Sequence, residues 1–260
     1  MKKTVPFLLL ITLFAAAVWY SFIKQPDKIH ELPPPQLPPA MPVAEHQPEP
    51  AEDNTGYPAP ESVTIPDPLP LLNESDAEVT RALAEAVGAD PLARYLVRNQ
   101  VISRFVALID SLTSRQVPAQ INPLKPVDEK FIAVTEADSV VMSAQNFARY
   151  DGYVALLQNA DSEALMAFYQ RYYPLFQQAW EENGGEGSFN KRLIEVIDHL
   201  LETPAVPGPV YLTRPEAVYL FADPELESMT AGQKILVRMG SVNASVVKAK
   251  LLEVRAGMKP

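Results

Sequence analysis

Fourteen of the chain's 26 prolines lie between Pro26 and Pro70, a window of 45 residues. Proline locks φ and supplies no amide donor, so such a stretch forms neither a helix nor an interior strand. The same window holds eight acids against the single base Lys28, a net charge of −7. Like charges repel there and little can be buried. The composition predicts a disordered, extended spacer with partial polyproline II character. It divides the chain into residues 1–25, the Pro/Glu-rich spacer 26–70, and residues 71–260, a length sufficient for one sizeable core.

The first part, "MKKTVPFLLLITLFAAAVWYSFIK", carries no charge from Thr4 to Ile23. Val5 to Ile23 is 19 residues, or about 28 Å as a helix, close to the ~30 Å of a hydrocarbon core. Trp19 and Tyr20 lie near its far end, where amphipathic rings favour the interface. Lys2 and Lys3 hold the short tail on the cytoplasmic side by the positive-inside bias. The expectation is a single-pass anchor in a bacterial inner membrane through residues 5–23, with the C-terminal domain periplasmic. A cleaved signal peptide is the alternative, since Ala15-Ala16-Ala17 offers small residues after an apolar region. Both readings export the rest of the chain. Within the spacer, "LPPPQLPP" also has the composition of a ligand for an aromatic groove.

Residues 71–260 change character. "SDAE" from Ser75 matches a capping box, with Glu78 reaching back to the helix start. Val79, Ala82, Leu83, Ala86 and Val87 then keep helical spacing until Gly88. Asp90-Pro91 opens a further helix whose stripe is Leu92, Tyr95, Leu96, Ile102, Val106 and Ile109. "KFIAVTEADSVVM" shifts to two β-branched runs around Glu136-Ala137-Asp138, a hairpin signal. "PVYL" and "AVYLF" read as a second strand pair around Arg214-Pro215. Helices are expected after Ser143 and Ser188, near Thr230, and from Ser241 beyond Gly240. The predicted class is α+β: a predominantly helical domain with two small strand pairs, behind a transmembrane helix and the proline-rich linker.

"FYQRYYPLFQQAW", Phe168 to Trp180, sets Pro174 among six aromatic side chains. At ~100° per residue, Phe168, Tyr169, Tyr172, Phe176, Ala179 and Trp180 fall within about 60° of Leu165. Pro174 falls opposite, where water can satisfy the carbonyl it frees. This predicts one helix with a buried aromatic stripe, not an open ligand platform. Phe147 to Phe189 holds 10 of the chain's 22 aromatics, so the centre of the fold is expected there. Tyr173 lies at the edge of the stripe.

Cysteine is absent, which excludes disulfides, thiolate zinc sites and a cysteine nucleophile. His199 lies outside the spacer, on the outer side of its helix beside Glu195, Asp198 and Glu202. It is expected to face solvent. A serine triad needs a histidine base, and the one histidine outside the spacer is the solvent-facing His199; without an H-x-x-x-H pair it is also a poor basis for a metal site. Gly232-Gln233-Lys234 lacks the spaced glycines of a phosphate loop. No cofactor and no metal is predicted. "DPELE" brings Asp223, Glu225 and Glu227 together, either as a helix start or as carboxylates for acid–base chemistry. Arg149, Tyr150 and Asp151 in "NFARYDGY" form a group able to hold a polar ligand or an interhelical ion pair. Residues 231–260 carry six bases against Glu253. Lys248, Lys250 and Arg255 therefore either face an anionic partner or compensate a helix end. The chain as a whole is acidic, net −10, so no nucleic-acid binding is expected. The candidate binding surface is Arg149, Tyr150, Asp151, Tyr173, Lys248, Lys250 and Arg255.

The segments "NFARYDGYVALL", "YYPLFQQAW", "FNKRLIEVIDHLLETP" and "YLFADPELESMTAGQKILVRMGSVNASVVKAKL" together resemble a proteobacterial family, domain of unknown function 3014. The resemblance implies a bacterial envelope protein with an N-terminal apolar segment, and it transfers no activity and no site residue. The layout of anchor, spacer and head also looks like that of periplasm-spanning energy transducers and division-associated tethers. The expected function is a membrane-tethered periplasmic binding or scaffold protein that holds an envelope protein or the cell wall. The alternative is a carboxylate-dependent periplasmic hydrolase acting on cell-wall material.

Overall fold

The computed structural model describes residues 68–258, except 128, 129, 137 and 217. The anchor expected at 5–23 and the spacer as far as residue 67 lie outside the described residues. Among the described residues no helix is long and apolar enough to cross a membrane.

A 3-10 turn at Leu72–Glu74 leads into α1 (Asp76–Val87) and α2 (Ala89–Tyr95), with Gly88 between them at φ 90°. Helix α3 follows (Val101–Ser111), then β1 (Ala133–Glu136) and β2 (Ser139–Met142). Next come α4 (Gln145–Ala148), α5 (Asp151–Asn159), α6 (Ser162–Glu182) and α7 (Phe189–Leu201). Strands β3 (Tyr211–Thr213) and β4 (Leu220–Phe221) precede α8 (Pro224–Ser228), α9 (Ala231–Arg238) and α10 (Gly240–Gly257).

The main core forms around α6. Leu165, Tyr169 and Tyr172 are each 1% exposed, and Phe168, Phe176, Ala179 and Trp180 are buried with them. Pro174 is exposed while α6 continues past it unbroken. The aromatic run is therefore core, as its period requires, and each buried ring contributes about 1.5–3 kcal/mol. Phe176 stacks on Phe189 of α7 with ring planes 8° apart and meets Phe105 of α3 edge-on.

The single helix expected from Pro91 to Ile109 is two. Leu96 pairs with Leu124 in a bridge, and the amide of Val97 donates to Pro123 at 2.7 Å. This remote partner pulls the backbone out of the helix. Gln100 then turns at φ 52°, and α3 starts afresh. The carboxylate of Asp76 on α1 accepts the amides of Gln100 and Val101 at 2.7 and 2.8 Å, so an acid 24 residues away caps α3.

Ser75 does not form the expected capping box. Its hydroxyl donates to the Leu72 carbonyl, and Glu78 instead accepts from Tyr172 at 2.8 Å and Arg171 at 3.2 Å. The SDAE pattern describes only local chemistry, and the tertiary partners on α6 outcompete it.

The strands are also more connected than two separate pairs. Val140 pairs with Leu212 and Val141 with Tyr211, joining the hairpins into one antiparallel sheet of order β1-β2-β3-β4. Its inner face, including Met142, Leu212 and Phe221, forms a second core with Leu226 of α8 and Val237 of α9.

Candidate interaction surface

The "NFARYDGY" segment joins the helices to the sheet. Asn146, 1% exposed, accepts the Ile132 amide and donates to the carbonyls of Ile132 and Ser143. Its side chain thus serves the backbone entering β1 as a pairing strand would. The next residues diverge. Arg149 is half-buried and donates to Asn146 at 3.4 Å. Tyr150 is buried, and burial raises its pKa while Arg238 and Arg149 pull it down. Asp151 is exposed and accepts from Asn243 of α10 at 3.1 Å. Tyr173 lies on another part of the molecule, half-buried, with its hydroxyl 3.2 Å from Gln177 and 3.1 Å from Ser188, the N-cap of α7.

The carboxylates of "DPELE" are dispersed as well. Asp223 caps α8 by accepting the Glu225 amide at 2.8 Å, and Glu225 is exposed. Glu227 accepts the Phe221 amide at 2.8 Å and pairs with Lys234. Lys234 is 8% exposed, and Arg238, one turn on, lies buried 5.0 Å above the Phe221 ring. Burial lowers the pKa of Arg238, and Tyr150 and Glu227 counteract it. Lys234 therefore points inward. Gly232 has a packing role, because a Cβ there would lie 2.6 Å from Leu200 Cδ2 and 3.0 Å from the Leu112 carbonyl oxygen.

His199 departs from expectation. It is half-buried, with Nε2 2.9 Å from Thr230 Oγ1, where the capping box of α9 packs against α7. The helical wheel placed it on the outer side of α7, but α9 covers that edge. No group of three or more His, Asp or Glu residues spaced to hold a metal occurs among the described residues.

The C-terminal bases share α10. Lys248 donates to the carbonyls of Leu201 and Thr203, at the C-terminal end of α7. This meets carbonyls left open at a helix end and places a cation at its negative pole. Burial lowers the lysine's pKa. Arg255 pairs with Asp198 of α7 at 2.8 Å, and Lys250 with Glu253 at 3.1 Å. Of the seven candidate residues, the structure gathers these three on one helix and sets Asp151 near its start through Asn243. It does not bring Tyr173 to them.

Beside Lys248 runs a groove of about 320 Å³ between the loop 203–210 and the start of α10. Its walls include Phe147, Val206, Val210, Ala244, Ser241 and Ser245. Gly240, at φ 80°, starts α10 over the Phe147 ring, where a Cβ would come within 2.8 Å. The size and the mix of apolar wall with a few polar groups fall at the lower end of ligand-binding clefts. Apart from Lys248, these residues do not stand out in the sequence. The available signal is "TPAVPGPV", whose three prolines keep the loop from pairing and leave it as a wall.

These features define an α-rich domain with one small antiparallel sheet and a surface groove at its C-terminal helix. The chain belongs to the family described as Protein of unknown function (DUF3014), whose model matches residues 101–255, more than half of the sequence. No curated protein and no solved structure matches it. The family match begins at the first residue of α3. Helices α1 and α2, ahead of it, bury Val79, Leu83 and Leu92 in the same core.

Proposed function

We propose that this chain is a membrane-tethered binding or scaffold protein of the bacterial cell envelope, with a periplasmic head that holds an envelope protein or the cell wall. The observation that carries this reading is the groove beside Lys248, a concave, mainly apolar surface on the head. The 19-residue uncharged run and the proline-rich stretch behind it supply an anchor and a spacer. Binding is favoured over carboxylate-dependent hydrolysis because Asp223 caps a helix and Glu227 neutralises a buried lysine.

A photo-crosslinking residue in place of exposed Ser245, on the groove wall, tests the reading in intact cells. A discrete adduct with one envelope protein or with wall fragments, lost on Val206→Asp, is the expected result. An adduct pattern unchanged by Val206→Asp overturns it. Activity on wall fragments abolished by changing Asp223, Glu225 or Glu227 singly, with the variant still folded by circular dichroism, would establish the hydrolase instead.

A further inference from the structure

Helix α10 is apolar on two opposite sides. Val247, Leu251 and Val254 are buried against the rest of the domain. On the other side Val242 is 76% and Leu252 57% exposed, with Ser245, Ala249 and Ala256 exposed between and beyond them. Residues 242, 245, 249, 252 and 256 alternate steps of three and four. At ~100° per residue they stay within about 40° of the line opposite the core. That is the spacing of a helix–helix seam. Serine and alanine at its middle allow helix axes to approach to the short end of ~8–10 Å.

Charge selects the partner and its direction. Lys248 and Arg255 run along one flank of the seam, and Glu253 lies on the other. In a parallel pair of identical helices, the flank of one meets the opposite flank of its neighbour, and residues five apart in sequence come together. Lys248 and Glu253 have this separation. Antiparallel pairing would set the Lys248/Arg255 flank against itself. The carbonyls of Leu201 and Thr203 take two of the three N–H groups of Lys248, which leaves one for a carboxylate beyond the seam. A lipid surface fits less well, because Arg255 is paired with Asp198 and the acid Glu253 borders the same face, its carboxylate half-exposed beside Lys250 and open to a second cation.

We propose that a second copy of this chain packs in parallel along this face of α10, with Lys248 reaching the partner's Glu253. The seam contacts are Val242, Ser245, Ala249, Leu252 and Ala256. Ser245 and Lys248 also border the groove, so a Ser245 crosslink to a second copy reads the seam and one to another molecule reads the groove.

The cysteine-free sequence makes the test direct in the full-length protein in its native membrane. Val242→Cys, Ala249→Cys and Ala256→Cys are introduced singly, with exposed Glu163→Cys on α6 as the control. Mild oxidation should give a disulfide-linked dimer for all three seam variants and none for the control. Adding Leu252→Lys to Val242→Cys should abolish the dimer while the far-UV circular dichroism of the folded domain is kept, since Leu252 is 57% exposed and its loss costs only the stability that association itself supplies. Monomer in all three variants overturns the proposal. So does crosslinking of Ala249→Cys alone together with a mixed Val242→Cys/Ala256→Cys product, the antiparallel signature. Crosslinks exclusively to other proteins, or cysteines shielded from a soluble thiol reagent only while lipid is present, also overturn it.

Discussion

Replacing Glu78 with glutamine should weaken the fold in a pH-dependent way. The side chains of Glu78 and Arg171 are 28% and 29% exposed, and Tyr172 is buried beside them. The Tyr172 hydroxyl donating to the carboxylate is the main influence lowering the Glu78 pKa, with Arg171 adding to it and burial opposing. A hydrogen bond to a charged group is worth about 1.5–3 kcal/mol, against about 0.5–1.5 for a neutral one. Glutamine keeps an acceptor and loses the charge, so the loss near pH 7 should be about 1 kcal/mol. For a domain of this size that corresponds to roughly 2–4 °C in melting temperature. Because the folded-state pKa is depressed, the stabilisation is fully present above the unfolded value of about 4.3. It disappears as pH falls through the lower folded value. Thermal melts by circular dichroism between neutral and acid pH should therefore show the two proteins converging as the solution becomes acidic. A gap that stays constant across this range would refute the electrostatic account of the node.

Three further outcomes follow from named contacts. Gly232→Ala should destabilise by about 1–2 kcal/mol, because overpacking against Leu200 and Leu112 outweighs the helix propensity gained; urea titration reads it. Asp76→Ala removes the remote cap of α3 and should cost about 0.5–2 kcal/mol, with amide exchange accelerated in the first turn of α3. Glu227→Gln leaves Lys234 buried without its carboxylate and should cost about 2–3 kcal/mol, a buried-pair penalty discounted for the partial exposure of Glu227. Lys234→Met in the same background should recover part of that loss.

Periodic features were legible in the sequence where one element carries its own reason. The α6 stripe, the helix after Ser188 and the Thr230 start all depend on neighbours a few residues away, and all form. Features set by distant partners were not legible. The break between α2 and α3 depends on Pro123 and Leu124, and Glu78 serves Tyr172 instead of its own helix start. The joining of two hairpins into one sheet depends on residues some 70 positions apart, Val141 and Tyr211. The same divide runs through the candidate surface. The cluster of bases was visible, whereas the groove beside Lys248 arises only when the loop 203–210 meets α10.

A tether requires the head to lie beyond a membrane, and a pair of C-terminal fusions tests that directly. A phosphatase that matures only in the periplasm should be active when fused after Pro260, and a reporter that works only in the cytosol should be silent there. The opposite pair of signals would place the head inside the cell and contradict the proposed tether.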